Sequence, residues 1–387
     1  MRPVQIKPDI YWVGGIDWDL RNFHGYLTQR GSTYNAYLIV DEKITLVDTV
    51  KHYLCDEMLE RIAHIVDPAK IDYIVSNHVE MDHSGSLPMV KEVAKNAKVF
   101  TSPKGEAGLQ AHFQGDLNLQ AVKTGDTLNI GKRNLSFVLT PMVHWPDNMV
   151  TYLPEEKLLF SNDAFGQHIA SSERFDDEYP LSTILQEAQK YYANIVLPFS
   201  GQVQKALQAV GGLAIETICP SHGLIWRAHI PTILEQYTKW SANQTESKAV
   251  IVYDTMWHST HKIAQAIQRA FEDQGIYVSM MNLQHNHISD IMTEAMTAKY
   301  ICVGSPTINN GMLPTMGAFL TYFKGLAPKN RIGLAFGSYG WSGQSVDQIE
   351  DVLRACGFTL LTKIRPQYIP DEATLQSITT QVKGELV

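Results

Sequence analysis

Cysteine is scarce in this sequence, and its four cysteines are scattered. Cys55, Cys219, Cys302 and Cys356 never form a Cys-x-x-Cys pair. A disulfide framework would need paired, regularly spaced cysteines, and an iron–sulfur module of the rubredoxin kind would need clustered thiolates. The spacing therefore argues against both kinds of module within this chain.

The sequence also lacks long apolar runs and basic clusters. No stretch approaches the roughly 20 apolar residues that cross a bilayer, and the N-terminal residues 1–6 are not followed by the apolar segment of a secretory signal. With a net charge of -8 and no basic stripe, the chain is not expected to bind nucleic acid. These absences predict a cytoplasmic protein that does not insert into a membrane.

A length of 387 residues is long for one domain and suits two. The first part mixes strands and helices. Predicted strands cover 34–40, 44–47 and 71–75, a helix covers 54–66, and hairpin-like units follow at 128–142 and 149–160. This pattern favours an α+β sandwich for residues 1–247.

After the polar stretch 241–247 the pattern changes, and strands alternate regularly with helices. The predicted strands are 249–253, 277–280, 300–303, 332–336 and 359–363. Such alternation is typical of a doubly wound parallel α/β sheet. We therefore predict a second domain at residues 248–387.

The segment 76–85 concentrates groups that can bind metal. His78, Glu80, Asp82 and His83 lie within six residues, directly after a predicted buried strand. A loop at a strand end can bring such side chains to one point, so the segment is a candidate metal site. The alternative is a polar loop in which Asp82 or Ser84 caps the next helix.

Three more ligand-type side chains follow predicted strands downstream. They are His144, before Trp145-Pro146-Asp147, then Asp163 and His222. Each of these residues alone is more typical of a turn cap than of a metal ligand. Four loops that each deliver a histidine or a carboxylate after a strand favour a shared metal site.

The series His-x-Glu-x-Asp-His, His, Asp, His resembles the di-metal site of the metallo-β-lactamase superfamily, and specifically its flavodiiron branch. The hydrolytic branch has histidine where Glu80 stands. The resemblance implies an N-terminal metallo-β-lactamase-like αββα sandwich. It further implies one iron held by His78, Glu80 and His144, a second held by Asp82, His83 and His222, and Asp163 as the bridge.

The residue types favour iron independently of the resemblance. Three carboxylates and four imidazoles form an oxygen-rich site, and two histidines with one carboxylate suit redox-active non-haem iron. A bridging oxo or hydroxo group is expected between the two metal ions. With a hydroxo bridge, the three carboxylates would also balance the charge of two divalent cations. Zinc would fit geometrically but has no redox chemistry.

In the second domain, a loop rich in hydroxyl groups joins a predicted strand to a helix that begins near Thr260. Its residues are Thr255, Met256, Trp257, His258, Ser259 and Thr260. Hydroxyls and free backbone N–H groups at a helix N-terminus suit a phosphate. Ordinary capping by serine and threonine is the alternative.

Two later loops follow the ends of predicted strands, where open α/β sheets bind ligands. Their residues are Ser305, Pro306, Thr307, Ile308, Asn309 and Asn310, then Ser338, Tyr339, Gly340, Trp341, Ser342 and Gly343. The rings of Tyr339 and Trp341 suit a flavin, although Trp341 could instead be ordinary packing. The set resembles flavodoxin, which implies that the first loop holds the FMN phosphate and the later loops flank the ring. The absence of a second phosphate motif favours FMN over FAD or NAD.

The resemblance to the flavodiiron family covers nearly the whole chain, including residues 17–26. It implies that His24 and Tyr26 lie near the diiron pocket, although an ordered surface loop explains them equally well. It also implies an FMN- and diiron-dependent oxidoreductase that reduces dioxygen to water or nitric oxide to nitrous oxide.

The family further implies a head-to-tail homodimer in which FMN meets the partner's irons, with a tetramer as the alternative assembly. Because the chain lacks its own rubredoxin module, electrons must come from a separate donor, a rubredoxin or a reduced deazaflavin. Two other functions stay open. One is a dizinc hydrolase with an appended flavodoxin-like module, which Glu80 argues against, and the other is an electron carrier whose first domain is a metal-stabilised scaffold.

Overall fold

The computed structural model describes residues 1–386, which fold into two compact units. The first unit consists of residues 1–24, 28–191 and 201–238. The second consists of residues 25–27 and 192–200 together with the chain from Lys239 onward. None of the helices within residues 1–386 combines the length and apolar composition that crossing a membrane requires.

Short strands dominate the chain before residue 242. They are β1 (Val4–Lys7), β2 (Ile10–Trp12), β3 (Gly15–Asp17), β4 (Asn22–Phe23), β5 (Tyr26–Leu27), β6 (Ser32–Tyr34), β7 (Tyr37–Ile39), β8 (Thr45–Val47), β9 (Tyr73–Val75), β10 (Lys98–Thr101), β11 (Leu119–Ala121), β12 (Thr127–Asn129), β13 (Asn134–Leu139), β14 (Met149–Leu153), β15 (Leu158–Asn162) and β16 (Thr217–Pro220). The helices are α1 (Cys55–Ala63), α2 (Met81–Ser84), α3 (Leu87–Val93), α4 (Pro103–His112), α5 (Leu181–Tyr191), α6 (Ser200–Val210) and α7 (Ile230–Ser241). Short 3-10 turns lie at His52–Leu54, Pro68–Lys70, Pro154–Glu156 and Leu197–Phe199, and a π-helical turn at Tyr192–Val196.

Two sheets form the centre of the first unit. The seven-stranded sheet has the order β1-β2-β7-β8-β9-β10-β11, and the five-stranded sheet has the order β12-β13-β14-β15-β16. Their facing side chains form one apolar core, to which Tyr37 and Ile39 contribute from the larger sheet and Phe160 from the smaller. The alternate residue Leu38 points to the opposite face and packs in the core that contains Met58 of α1. This period-two alternation produces the expected αββα sandwich, so the predicted fold class is confirmed.

The second unit contains a five-stranded sheet in which all neighbouring strands are parallel. Its strands are β17 (Glu246–Tyr253), β18 (Tyr277–Asn282), β19 (Ala298–Gly304), β20 (Ile332–Phe336) and β21 (Thr359–Leu360), and its helices are α8 (Ser259–Glu272), α9 (Ile288–Thr297), α10 (Pro314–Leu326), α11 (Gln344–Ala355) and α12 (Glu372–Glu385). The order β18-β17-β19-β20-β21 is that of flavodoxin-like sheets. The boundary at residue 247 stays a prediction, and β17 begins at Glu246.

Some predicted elements differ in length from the observed ones. The strand predicted at 34–40 is two strands, β6 and β7, because β6 leaves the main sheet to pair with β3. The strand predicted at 359–363 ends at Leu360. Both differences arise where pairing with a neighbouring strand, rather than the apolar pattern, decides where a strand ends.

Two glycines of the second unit provide a matched test of how β19 packs against β20. A Cβ added to Gly304 at the end of β19 would lie 2.2 Å from the ring of buried Phe336, whereas a Cβ on Gly317 in α10 would meet nothing within 4 Å. We expect Gly304→Ala to lower the free energy of unfolding by about 1–3 kcal/mol through overpacking. Gly317→Ala should raise it by up to about 1 kcal/mol through helix propensity. Urea denaturation of both variants measures the difference, and equal stability would contradict the register of β19 against β20.

Candidate functional site

The first candidate metal-binding segment begins where β9 ends. His78, Asp82 and His83 are buried, and Glu80 is half-buried. The segment is not entirely a loop as predicted, because Met81–Ser84 forms one helical turn. Glu80 precedes that turn without capping it, and neither oxygen of the Asp82 carboxylate has a hydrogen-bond partner within residues 1–386. The capping alternative is therefore wrong for Asp82.

Buried polar groups fix the backbone of this segment. Asp48 accepts hydrogen bonds from the Asn77 backbone N–H (2.7 Å) and from Asn77 Nδ2 (2.9 Å). The hydroxyl of Thr49 donates to the carbonyl of His83 at 2.6 Å. Burial raises the pKa of Asp48 to about 6, although the hydrogen bonds from Asn77 oppose the shift. Sequence reasoning missed these groups because each acts through the backbone of its neighbour.

The remaining three candidate ligands also follow strand ends. His144 lies in the loop between β13 and β14, Asp163 follows β15, and His222 follows β16. The amide of Asn148 donates to Asn162 Oδ1 at 2.8 Å and so joins the first two loops. His222 Nδ1 lies 2.8 Å from the backbone carbonyl of Thr33, which leaves Nε2 facing the carboxylates.

The structure brings all seven predicted side chains together as two adjoining groups. One group contains His78, Glu80, His144 and Asp163, and the other contains Asp82, His83 and His222. Within each group the candidate ligand atoms lie within 4.8 Å of one another. Glu80 Oε2 lies 3.4 Å from His78 Nε2 and 3.3 Å from His144 Nε2. Asp82 Oδ2 lies 3.2 Å from His222 Nε2.

Asp163 lies between the two groups and offers one oxygen to each. Its Oδ2 is 3.2 Å from His144 Nε2 and 3.6 Å from His78 Nε2. Its Oδ1 is 3.0 Å from His83 Nε2 and 3.4 Å from His222 Nε2. This arrangement suits a carboxylate that bridges two metal ions.

The cluster contains buried polar atoms that the protein alone leaves unsatisfied. Both oxygens of Asp82 and of Asp163, and Nε2 of His78 and of His83, have no hydrogen-bond partner within the described residues. Burying carboxylates without partners is costly unless cations neutralise them. Four inward-facing imidazole Nε2 atoms and three carboxylates therefore fit two bound metal ions better than they fit a polar core.

The same carboxylates shift the histidine pKa values when no metal competes for the rings. Burial opposes protonation of His144, but Asp163 and Glu80 raise its pKa to about 9. Burial likewise opposes protonation of His222, but Asp163 and Asp82 raise its pKa to about 10. Protons and metal ions therefore compete for the same nitrogen atoms.

His24 and Tyr26, expected near this cluster, lie in different units. His24 Nε2 is 3.1 Å from Glu80 Oε1, so His24 adjoins the first group from an exposed position. Tyr26 is buried and belongs to the second unit. Lys51, which sequence reasoning missed, places its ammonium group 4.7 Å from the ring centre of Tyr34 and 5.1 Å from that of Phe23. The negative charges of Asp82 and Glu80 act on this lysine, although burial is the larger effect and lowers its pKa.

A second site lies in the second unit, at the carboxyl ends of β17, β19 and β20. It is a cavity of about 790 Å³, within the range of small-molecule sites. Its lining residues are Thr255, Met256, Trp257, Ser259, Thr260, Pro306, Thr307, Ile308, Asn309, Asn310, Ser338, Tyr339, Gly340, Trp341, Ser342, Tyr368 and Ile369. Three predicted residues support the loops without lining the cavity: His258 and Gly343 precede α8 and α11 with positive φ, and buried Ser305 accepts a hydrogen bond from the Leu313 N–H.

The polar end of this cavity suits a phosphate. The hydroxyls of Thr255 and Thr260 are buried and have no hydrogen-bond partner within residues 1–386. Thr260 also lies in the first turn of α8, whose free N–H groups attract anions. A phosphate would satisfy these donors, whereas simple helix capping would leave them without a partner. The loop therefore fits the phosphate of FMN better than it fits a capping role.

Exposed rings also line this cavity. Trp341 is 80% exposed and Trp257 is 84% exposed. Ordinary core packing therefore does not explain Trp341. Tyr368 and Ile369 complete this rim, and sequence reasoning missed them because their loop follows a strand that was predicted too long.

The fold and the two sites define a class of protein in which a metallo-β-lactamase-like di-metal domain is joined to a flavodoxin-like flavin domain. Comparisons with known proteins agree. The "ODP family beta lactamase" model matches residues 33–223, and the flavodoxin model matches residues 251–379.

The chain is 46% identical to the nitric oxide reductase of Moorella thermoacetica, over 97% of this chain and 96% of the relative. It is 44% identical to the rubredoxin-oxygen oxidoreductase of Megalodesulfovibrio gigas, over 99% and 97%. The crystal structure of the flavodiiron protein of Giardia intestinalis matches with a TM-score of 0.97 at 34% identity, covering 99% of this chain and 96% of that one. The chain belongs to the flavodiiron protein family.

Metal uptake by the metal-free protein should depend on pH. Because the pKa values of His144 and His222 are raised to about 9 and 10, both rings are protonated at neutral pH and must lose protons to bind metal. We expect ferrous iron to bind more tightly as pH rises from 6 to 8 and to release protons, as measured by anaerobic calorimetry in buffers of different ionisation enthalpy. His222→Ala should release fewer protons, whereas His112→Ala, which removes an exposed histidine of α4, should match the unmodified protein. Binding independent of pH would contradict the proposed ligand set.

The position of the FMN phosphate in the second unit can be tested with a pair of threonine substitutions. We expect Thr260→Ala to weaken FMN binding by about 10- to 100-fold, the cost of one hydrogen bond to a charged group. Thr321→Ala in α10 removes an exposed hydroxyl that bonds only its own helix, and should leave FMN affinity unchanged. Flavin fluorescence titration of the FMN-free protein measures both. Equal affinities would place the phosphate elsewhere.

Proposed function

We propose that this protein is a flavodiiron oxidoreductase that reduces dioxygen to water, nitric oxide to nitrous oxide, or both. The observation that carries the proposal is the position of Asp163, which offers one carboxylate oxygen to each of two adjoining ligand groups. The flavin-type cavity in the same chain supplies a reason for that di-metal site to be redox-active.

The ligand chemistry supports iron over zinc. Glu80 contributes a carboxylate where hydrolytic relatives have histidine. The first group therefore has two imidazoles and the Glu80 carboxylate, and it shares only Asp163 with the second group. This composition suits non-haem iron with open coordination positions. Glu80, Asp82 and Asp163 offset most of the charge of two ferrous ions within a buried site. His78, Glu80 and His144 would therefore hold one iron, Asp82, His83 and His222 would hold the other, and Asp163 would contact both.

When bound, FMN supplies electron transfer and the diiron centre supplies the position at which the gas is reduced. The protein's own residues prepare that position. The Thr33 carbonyl holds Nδ1 of His222 and so directs its Nε2 inward. Asp48 and Thr49 fix the backbone of the segment that carries the first ligands. Exposed His24, in contact with Glu80, can carry a proton between solvent and the edge of the site.

The electron donor is a separate protein or cofactor. Electron transfer from a rubredoxin is supported by the name of the M. gigas relative and by the absence of clustered cysteines in this chain. Reduced deazaflavin is the second candidate. The family resemblance implies the head-to-tail homodimer, its assembly into a tetramer and a role for Tyr26 near the irons, and the composition implies the cytoplasmic location. All four stay predictions.

Metal and flavin content separate this function from a hydrolase. We expect the purified protein to contain two irons and one FMN per chain, and anaerobically reduced protein to consume dioxygen or nitric oxide in stopped-flow mixing. A dizinc hydrolase would instead hold zinc and hydrolyse an ester or thioester without reductant. An electron carrier would pass electrons on without consuming either gas.

Replacement of ligands tests the assignment directly. We expect His144→Ala to lower iron content and to slow gas reduction by more than about 100-fold, because it removes a metal ligand rather than a supporting group. Glu80→His should shift metal preference toward zinc, because it removes a hard oxygen donor. His112→Ala is the matched control and should reduce gas at the normal rate. Full activity in His144→Ala or Glu80→His would contradict the ligand set.

A further inference from the structure

The loop between β13 and β14 does more than carry His144. Asp147 lies two residues before β14, is 3% exposed, and directs its carboxylate toward the segment that follows β9. Its Oδ2 lies 2.8 Å from His78 Nδ1 and accepts a second hydrogen bond from the Val79 backbone N–H, also at 2.8 Å. One buried carboxylate oxygen therefore contacts both a candidate ligand and the backbone next to it.

These contacts decide which nitrogen of His78 faces the metal site. Asp147 can only accept, so Nδ1 of His78 carries the proton and donates it. The lone pair is then on Nε2, which lies 3.4 Å from Glu80 Oε2 and 3.6 Å from Asp163 Oδ2. Trp145, from the same loop as Asp147, packs edge-on against the His78 ring at a centroid distance of 5.1 Å. The ring is thus held in both orientation and tautomer.

The two ligand groups differ in the acceptor that lies at Nδ1 of a histidine. The Nδ1 of His222 contacts a neutral backbone carbonyl, that of Thr33, whereas the Nδ1 of His78 contacts a carboxylate. A carboxylate at Nδ1 raises the basicity of Nε2 toward a metal ion more than a carbonyl does. It also adds a negative charge on the side of the ring away from the metal. More negative charge near one metal ion favours its oxidised state.

We propose that Asp147 is a positioning residue that fixes His78 and, through its charge, makes the metal ion held by His78, Glu80 and His144 the more electron-rich of the two. The inference rests on the proposed function, because it takes His78 as an iron ligand. Asp147 is buried and contacts His78 at Nδ1, on the far side of the ring from Nε2, so its effect would reach the site through His78.

Two substitutions separate the charge of Asp147 from its hydrogen bonds. In Asp147→Asn, the Val79 N–H still requires an acceptor, so the amide oxygen stays toward His78 and only the charge is lost. Asp147→Leu removes both the charge and the acceptor. Ser102→Ala is the matched control, because Ser102 donates to the backbone carbonyl of Asp147 at 2.6 Å without touching its carboxylate.

The experiment measures two properties of the full-length protein: ferrous affinity by competition with a chelator, and the reduction potential of the diiron site by spectroscopically monitored titration. We expect Asp147→Asn to raise the reduction potential relative to Ser102→Ala. We expect Asp147→Leu, if it folds, to lower iron affinity by about 10- to 100-fold. A higher potential or a weaker iron affinity in Asp147→Asn supports the inference, and values equal to those of Ser102→Ala overturn it.

The same experiment distinguishes this inference from the proposed function. If the unmodified protein binds two irons and Asp147→Asn equals the control, only the role of Asp147 is wrong. If the unmodified protein takes up zinc and no iron, the proposed function fails, and the affinity comparison is repeated with zinc. In that case a weaker zinc affinity in Asp147→Asn still supports Asp147 as the positioning residue for His78, and an equal affinity overturns it.

Discussion

The first unit depends on one electrostatic constraint, which is the burial of Asp82 and Asp163 with carboxylate oxygens that accept no hydrogen bond within residues 1–386. Burying such groups costs several kcal/mol each unless positive charge compensates. The imidazoles that approach these oxygens supply part of that charge when protonated, and two metal ions supply it fully. Folding, metal binding and proton release are therefore linked in this unit.

The two-sheet sandwich explains how several separate loops can place their ligand-type side chains around these buried carboxylates. The strands β9, β13, β15 and β16 end on the same side of the two-sheet core, and each is followed by candidate ligands. Apolar packing between the sheets holds the strand ends. The loops are held by hydrogen bonds that the Asp48 carboxylate and the Thr33 carbonyl accept and that the Asn148 amide donates. The rigid core thus fixes positions that no loop could keep alone.

The flavodoxin-like unit offers neutral polar groups, rather than charged side chains, to its cofactor. Its cavity offers hydroxyls and a helix N-terminus, and Thr255 and Thr260 keep buried donors that a phosphate would satisfy. Exposed Trp257 and Trp341 lie at the rim, where they are available to a flat ring system. The two units therefore bind different cofactor chemistry by different physical means.

Much of this could be predicted from the sequence, because strand alternation fixes the fold class and because ligand-type residues follow strand ends. His144, Asp163 and His222 were found in this way. Asp147, Asp48 and the Thr33 carbonyl were not assigned a role, since each acts across a tertiary contact with no local signal. Tyr368 and Ile369 were missed because β21 is shorter than its apolar pattern indicates.

Anomalous X-ray scattering from crystals of the protein, recorded on both sides of the iron absorption edge, tests the central claim most directly. The account predicts two iron peaks roughly 3.5–4 Å apart, one among His78, Glu80 and His144 and the other among Asp82, His83 and His222, with Asp163 between them. A single peak, or peaks that appear only at the zinc edge, would contradict it.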